Sequence, residues 1–268
     1  MDSVSVTGSR VPSVLGKSAR IVTLMDSTMI SSLPVVSVND VLKFVAGVDV
    51  RQRGDMGAQT DISMRGGTSD QVAIYLDGIN ICDPQTGHNA VDLPMDITDI
   101  ERIEILSGPA GVAYGSSSLT GAINIVTKKC TSSGVSAHAE GGSYGYFNGG
   151  ARIGLVTGKV SNQISAGYLR SDGFSRNSEG GLNSDYQTVK ASYHGTFKSR
   201  AADLDWHAGL SARDFGSNTF YSAKFDDQFE HTFKTFASVQ AQTRGFVKVK
   251  PALYWNRGED RFELVRGK

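Results

Sequence analysis

The segment 186–197, YQTVKASYHGTF, alternates strictly. Val189, Ala191, Tyr193 and Phe197 fall on one face of an extended chain, and Thr188, Lys190, Ser192, His194 and Thr196 on the other. A period of two belongs to the β-strand, whose successive side chains leave opposite sides of the backbone. The next segment, 203–213, repeats it, with Leu204, Trp206, Ala208, Leu210 and Ala212 set against Asp203, Asp205, His207, Ser211 and Arg213. Similar alternation runs through 145–156, 159–170 and 232–242, and with 135–141 and 246–257 it predicts seven strands.

The connections sort by length. Residues 157–159, 198–202 and 243–245 make short turns, while 171–185 and 215–231 are long loops. A meander with short turns at one end and long loops at the other is the pattern of an outer-membrane barrel, short turns periplasmic. Strands of about ten residues suit a tilted crossing of the hydrocarbon layer. A soluble sandwich alternates in the same way but does not segregate its loops so consistently. Phe197 and Trp206 near one end, with Tyr168 and Trp255 near the other, are placed as aromatic belts would be. Pro251 fits poorly inside a strand. Seven strands leave lipid-facing edges that a bilayer does not tolerate, so further strands are expected after Lys268.

Composition narrows the function classes. The chain has 268 residues with 27 basic and 27 acidic side chains, which argues against a nucleic-acid partner. No stretch approaches the roughly 18 uninterrupted apolar residues of a spanning helix, so a membrane role must come through strands. Cys82 and Cys130 are too few and too far apart for a metal cluster or a disulfide framework. Met1 runs into DSVSVTGSR without a basic and apolar signal region, so the protein either stays inside the cell or has lost its export signal from this sequence.

Residues 1–130 read differently, as a small mixed α/β domain. In 38–53 a short helix capped by Ser37 or Asn39 stops at Gly47 and a strand follows. Strand-like DISMRGG (61–67) and QVAIYLDGINI (71–81) come next, with Asp77-Gly78 as a hairpin dipeptide. ITDIERIEILSGP (97–109) gives a helical turn and a strand, and AINIVT (122–127) another strand. Between them GPAGVAYG has neither the lysine and hydroxyl spacing of a phosphate loop nor the G-x-G-x-x-G order of a dinucleotide site. Its small residues suit close packing. A nucleophile elbow, a paired-carboxylate motif and a zinc-protease motif are absent from the sequence, which counts against a hydrolase.

Taken in order, DVLKFVAGVDV, ISMRGG, VAIYLDGINI and DIERIEILSGPAGVAYGSSSLTGAINIVTKK resemble the plug domain of TonB-dependent outer-membrane receptors, almost continuously over 35–129. The resemblance implies a small α/β plug domain followed by antiparallel transmembrane β-barrel strands, the first seven of a barrel of about 22. It divides the chain into a TonB box and linker (1–20), a plug (21–130) and the N-terminal part of the barrel (131–268). It makes Asp2, Ser3, Val4, Ser5, Val6 and Thr7 the box, an extended segment that would pair as a strand with the TonB energy-coupling protein. Arg65, Asp77, Gly78, Glu101, Arg102, Glu104, Gly108, Tyr114 and Gly115 fall in the plug core, the charged ones expected in ion pairs within the plug or to the barrel wall.

By the same resemblance, ligand would meet the upward loops 53–60 and 82–92 through Asp55, Met56, Gln59, Thr60, Gln85, Thr86, His88 and Asn89. The aromatic loop 215–231, with Phe215, Phe220, Tyr221, Phe225 and Phe229, would add apolar contact for a large planar ligand. No resident cofactor or metal is implied, although Asp172 and Asp185 flank a loop that could hold calcium. The implied function is energy-coupled import of a scarce ligand such as cobalamin, a siderophore–iron chelate or haem, not enzymatic catalysis. An oligosaccharide importer of the same family and a non-transporting surface binding protein are the alternatives. Outer-membrane lipid, a small-molecule ligand that could be a metal chelate, and a surface lipoprotein lid complete the implied partners.

Overall fold

The structure is a computed structural model that describes residues 5–6, 13–14, 21–52, 59–83, 92–108, 118–173 and 183–268. The chain divides into two compact units. The first comprises residues 1–51, 60–92 and 97–128, and the second 52–59, 93–96 and 129–268.

The first unit opens with a two-residue ladder between β1 (Ser5–Val6) and β2 (Ser13–Val14). β3 (Ile21–Asp26) leads directly into α1 (Ser27–Ser32), whose first turn is capped by Asp26 accepting from the Met29 amide at 2.8 Å. α2 (Val38–Leu42) is capped by Ser37, which accepts from the Asp40 amide at 3.3 Å and donates to Asp40 Oδ2 at 2.7 Å. β4 (Val48–Gln52) pairs with β5 (Thr60–Met64). β6 (Val72–Leu76), β7 (Ile79–Asn80), β8 (Ile100–Ser107) and β9 (Gly121–Thr127) join β3 in a sheet of order β3-β8-β9-β6-β7.

β6 and β9 are parallel, the one such pairing in that sheet. Every residue of both strands is buried, as expected of parallel strands covered on both faces. Ile74, Leu76, Ile103, Ile105, Ile123 and Ile125 form the fully buried centre, joined by Leu42, Ile62 and Met64. Between β6 and β7 the φ angles of Asp77 (52°) and Gly78 (82°) are both left-handed, the geometry that favours an Asp-Gly turn.

The second unit is a seven-stranded antiparallel meander in strict sequence order. Its strands are β10 (Gly134–Gly141), β11 (Phe147–Thr157), β12 (Val160–Ser171), β13 (Tyr186–Lys198), β14 (Ala202–Asn218), β15 (Gln228–Thr243) and β16 (Ala252–Glu263). Burial across this sheet is inverted relative to a water-soluble protein. Gln163, Ser165, Thr188, Ser192, His194, His207, Ser211, Thr232 and Gln240 are buried, while Ile153, Leu155, Ile164, Val189, Leu210, Val239 and Leu253 are exposed. A soluble sandwich would put its apolar face inside. A covered polar face and an outward apolar face make the wall of a transmembrane barrel.

Three expectations change. The loop expected at 215–231 shrinks to 219–227 because β14 and β15 run on past the apolar band; Phe215 and Phe229 are buried strand residues, not loop contacts. The turn expected at 243–245 spans 244–251, and β16 starts at Ala252 instead of 246. Pro251 therefore precedes the strand, which removes its conflict with the ladder. Trp255 pairs with Ala237, and its neighbour two residues back, Leu253, pairs with Val239, the partner of Trp206. Trp255 thus stands toward the short-turn end, near Trp206, and not at the opposite belt.

Ile164 lies on the outward face, level with Ile153 and Tyr193 in the neighbouring strands. Replacing it by Arg is expected to lower stability in a bilayer by about 2–4 kcal/mol if it sits near the midplane, whereas Ile164→Leu leaves it nearly unchanged; denaturant unfolding from vesicles measures both.

Candidate functional site

The first unit carries a polar network through its aliphatic sheet. Glu104 and Asn124 face each other in the β8–β9 register and both are fully buried. Asn124 Nδ2 donates to Glu104 Oε2 at 3.1 Å, and Arg102 Nε donates to Glu104 Oε1 at 2.9 Å. Arg102 also reaches Glu101 at 2.7 Å. On its other side Asn124 Oδ1 accepts from the Gly78 amide at 3.0 Å. Asp77 in the same turn accepts from the Thr127 amide at 2.9 Å and from its hydroxyl at 2.8 Å. The β6–β7 turn, β9 and β8 are thereby tied by side chains as well as by backbone ladders.

Such a network is stabilising only while complete, since a buried carboxylate deprived of its partners keeps the full desolvation penalty. Of the predicted plug-core residues it gathers Asp77, Gly78, Glu101, Arg102 and Glu104. Arg65 and Gly108 meet separately: both have positive φ, 52° and 96°, and a Cβ on Gly108 would lie 2.7 Å from Arg65 Nη1. Tyr114 and Gly115 lie outside the described residues. Asn124 and Thr127 were not singled out from the sequence, because within AINIVT they read as ordinary strand positions.

In the second unit, the loop 219–227 is folded around Gln228, which is fully buried. Gln228 Oε1 accepts from the Tyr221 amide at 2.9 Å, and its Nε2 donates to the carbonyls of Ser222 (2.7 Å) and Phe225 (2.6 Å). Tyr221 packs edge-on against Phe220 and Phe262 with centroids 4.4 and 4.5 Å apart, and its hydroxyl donates to Gln59 Oε1 at 3.1 Å. Tyr221 is half exposed and Gln59 nearly buried. The result is a rigid aromatic shelf with a polar tip, suited to a flat, partly apolar ligand.

Gln59, Phe220 and Tyr221 are thus brought together, with Phe262 as a member that the sequence reading missed. Thr60 is buried as the first residue of β5, in the other unit. Asp55, Met56, Gln85, Thr86, His88 and Asn89 lie outside the described residues, as do Asp2, Ser3, Val4 and Thr7. Ser5 and Val6 form β1.

Asp172 and Asp185 each engage a guanidinium. Arg170 reaches Asp172 at 2.9 Å, and Arg266 grips Asp185 through two bonds of 3.0 and 2.7 Å. Among the described residues no three His, Cys, Asp or Glu side chains come together to hold a metal ion. Both cysteines are free thiols. The covered face of the wall holds a further cluster. His194 lies 3.1 Å from Asp205 and stacks on His207 at 5.0 Å, and Lys129 reaches the same Asp205 at 2.5 Å. The sequence put all but Lys129 on a polar strand face without showing that β13 and β14 align them.

Comparison with known proteins gives these features a family. Residues 15–122 match the family model described as TonB-dependent Receptor Plug Domain. Residues 15–122 are thus a TonB-dependent receptor plug domain, and the antiparallel strands that follow it share the fold of solved outer-membrane receptors.

Among particular relatives, the chain is 31% identical over 228 residues to a vitamin B12 transporter of Vibrio vulnificus strain CMCP6, an alignment covering 82% of this chain and 37% of that one. A second vitamin B12 transporter, from Vibrio vulnificus strain YJ016, is 23% identical, with 89% of this chain and 39% of the relative covered. The chain therefore spans less than two fifths of the length of these relatives. The fold is shared with the closed form of the ferric-catecholate import receptor Fiu of E. coli K12, at TM-score 0.76 and 18% identity, covering 98% of this chain and 40% of that one. It is shared too with the alcaligin outer-membrane receptor FauA of Bordetella pertussis, at TM-score 0.74 and 19% identity, covering 98% and 42%. These relatives are transporters and receptors, not enzymes.

Asn124→Ala is expected to cost about 1–3 kcal/mol, since it removes one donor from a buried carboxylate and the acceptor of the Gly78 amide. The shift of the denaturant midpoint measures it. Gly108→Ala, forced to a left-handed φ, is expected to cost about 1–2 kcal/mol in the same assay.

Proposed function

We propose that this chain is the plug and leading barrel wall of an energy-coupled importer in the bacterial outer membrane, and that its ligand is a cobalamin. The plug match over 15–122 followed by an inverted antiparallel wall carries the reading of the protein as an importer. The relatedness to vitamin B12 transporters puts cobalamin ahead of a siderophore–iron chelate or haem. A corrinoid is large, flat and partly apolar, which suits the shelf of Phe220, Tyr221 and Phe262.

In this reading Asp2–Thr7 is the segment grasped by the TonB protein. Ser5 and Val6 already lie extended against Ser13 and Val14, and strand addition uses the hydrogen-bonding groups of an extended backbone. Tension on that segment would reach a plug whose buried links are polar. Bonds such as Asn124 to Glu104 can exchange for water as strands part, so a rearrangement meets a lower barrier there than in an all-apolar core. Residues 1–20, 21–130 and 131–268 are the corresponding box and linker, plug, and wall.

Two outcomes test it. Deletion of Asp2–Thr7 in the full-length protein should abolish cyanocobalamin uptake by cells while leaving binding to isolated membranes intact; uptake that persists would show that this segment is not the coupling element. Tyr221→Ala should weaken cyanocobalamin binding roughly tenfold, in the range of a buried aromatic contact. Unchanged cobalamin affinity alongside saturable binding of a ferric siderophore would move the ligand to the siderophore class.

A further inference from the structure

The connection between β15 and β16 departs from the others on its side of the sheet. β11 and β12 are joined by residues 158–159, and β13 and β14 by 199–201, whereas 244–251 separate β15 from β16. Within it Phe246 is fully exposed, Val247 is 68% exposed and Val249 51%. Lys248 and Lys250 stand exposed among them.

The segment is held in place. The Thr243 amide donates to the Val249 carbonyl at 3.0 Å, the Thr243 hydroxyl donates to the Val247 carbonyl at 2.9 Å, and the Val249 amide returns a bond to that hydroxyl at 2.8 Å. The Ala241 amide donates to the Pro251 carbonyl at 3.0 Å. Arg244 at its start is tied to Asp203 at 2.7 Å.

A contiguous apolar patch held open to water calls for a partner. Two observations identify it as lipid. The patch continues the outward apolar face, since Val239, Leu253 and Trp255 carry that face, exposed, to the foot of the turn. Its cations alternate with its apolar residues in the order Phe246, Val247, Lys248, Val249, Lys250, the composition that settles where acyl chains meet phosphates.

We propose that residues 246–250 form an interfacial anchor, with Phe246, Val247 and Val249 at the acyl boundary of the leaflet on the short-turn side and Lys248 and Lys250 on anionic phospholipid headgroups. The proposal rests on the reading that the outward face of the wall meets lipid.

The test uses the full-length protein in vesicles of phosphatidylcholine alone or mixed with phosphatidylglycerol. Acetic anhydride, which crosses bilayers, modifies the lysines, and mass spectrometry reads the rate at each one. Anionic lipid is expected to slow Lys248 and Lys250 about fivefold each, the effect of roughly 1 kcal/mol per lysine near such a surface. Lys224, in the loop at the other end of the wall, should not change, and Phe246→Ser should relieve part of the protection. Equal rates in both vesicle types overturn the anchor, as does protection in phosphatidylcholine that grows only with protein density, which would mean that a second copy covers the patch. Quenching of Trp206 and Trp255 by brominated acyl chains separates the two levels of the argument. Quenched tryptophans with unprotected lysines reject the anchor alone, and unquenched tryptophans reject the lipid-facing wall beneath it.

Discussion

The wall of this protein is organised by one requirement: in hydrocarbon, every backbone N–H and C=O must find its partner within the protein. An antiparallel meander meets it strand by strand, and the side chains then sort by solvent. Exposed Ile153, Ile164, Val189, Leu210 and Val239 have no place on a water-soluble surface in such density, and buried Gln163, Ser192, His207 and Gln240 have none in an ordinary core. Each set makes sense only with the other. Hydroxyl pairs along the covered face, Ser161 with Thr196 at 2.6 Å and Ser165 with Ser192 at 2.8 Å, show how that face satisfies itself across neighbouring strands.

The plug follows the opposite rule, with an aliphatic centre crossed by a polar seam. Isoleucine supplies most of its fully buried bulk, as suits strands packed on both faces. Burying Glu104 in that setting is affordable only because Arg102 and Asn124 occupy both of its oxygens. The seam makes the β6–β7 turn, β8 and β9 interdependent, so the plug is ordered by specific bonds as much as by packing.

Strands were the most readable feature because period two survives without any knowledge of partners. The error at β16 has a clear cause. Val247 and Val249 alternate with Lys248 and Lys250 as a strand would, so the pattern extended the strand backward into the turn. The loop before β15 is overestimated for the complementary reason: His231, on the same face as Phe229 and Phe233, breaks the alternation expected of a lipid-facing segment, yet the strand continues beyond the apolar band. Side-chain networks were less readable. Asn124, fixed between Glu104 and Gly78, and Asp205, shared by Lys129 and His194, depend on registers between segments far apart in sequence. The Gln228 anchor that shapes the aromatic shelf sits where the sequence suggested only an aromatic-rich loop, with nothing to mark the glutamine as its buried centre.

The inverted wall is the central claim, and the most direct measurement is carbene photolabelling from a probe dissolved in the acyl chains, mapped residue by residue in the native membrane. The account predicts a period of two, with label at Ile153, Ile164, Val189, Leu210 and Val239 and none at Gln163, Ser192, Ser211 and Ser238. Label spread over both sets, or confined to the second, would contradict it.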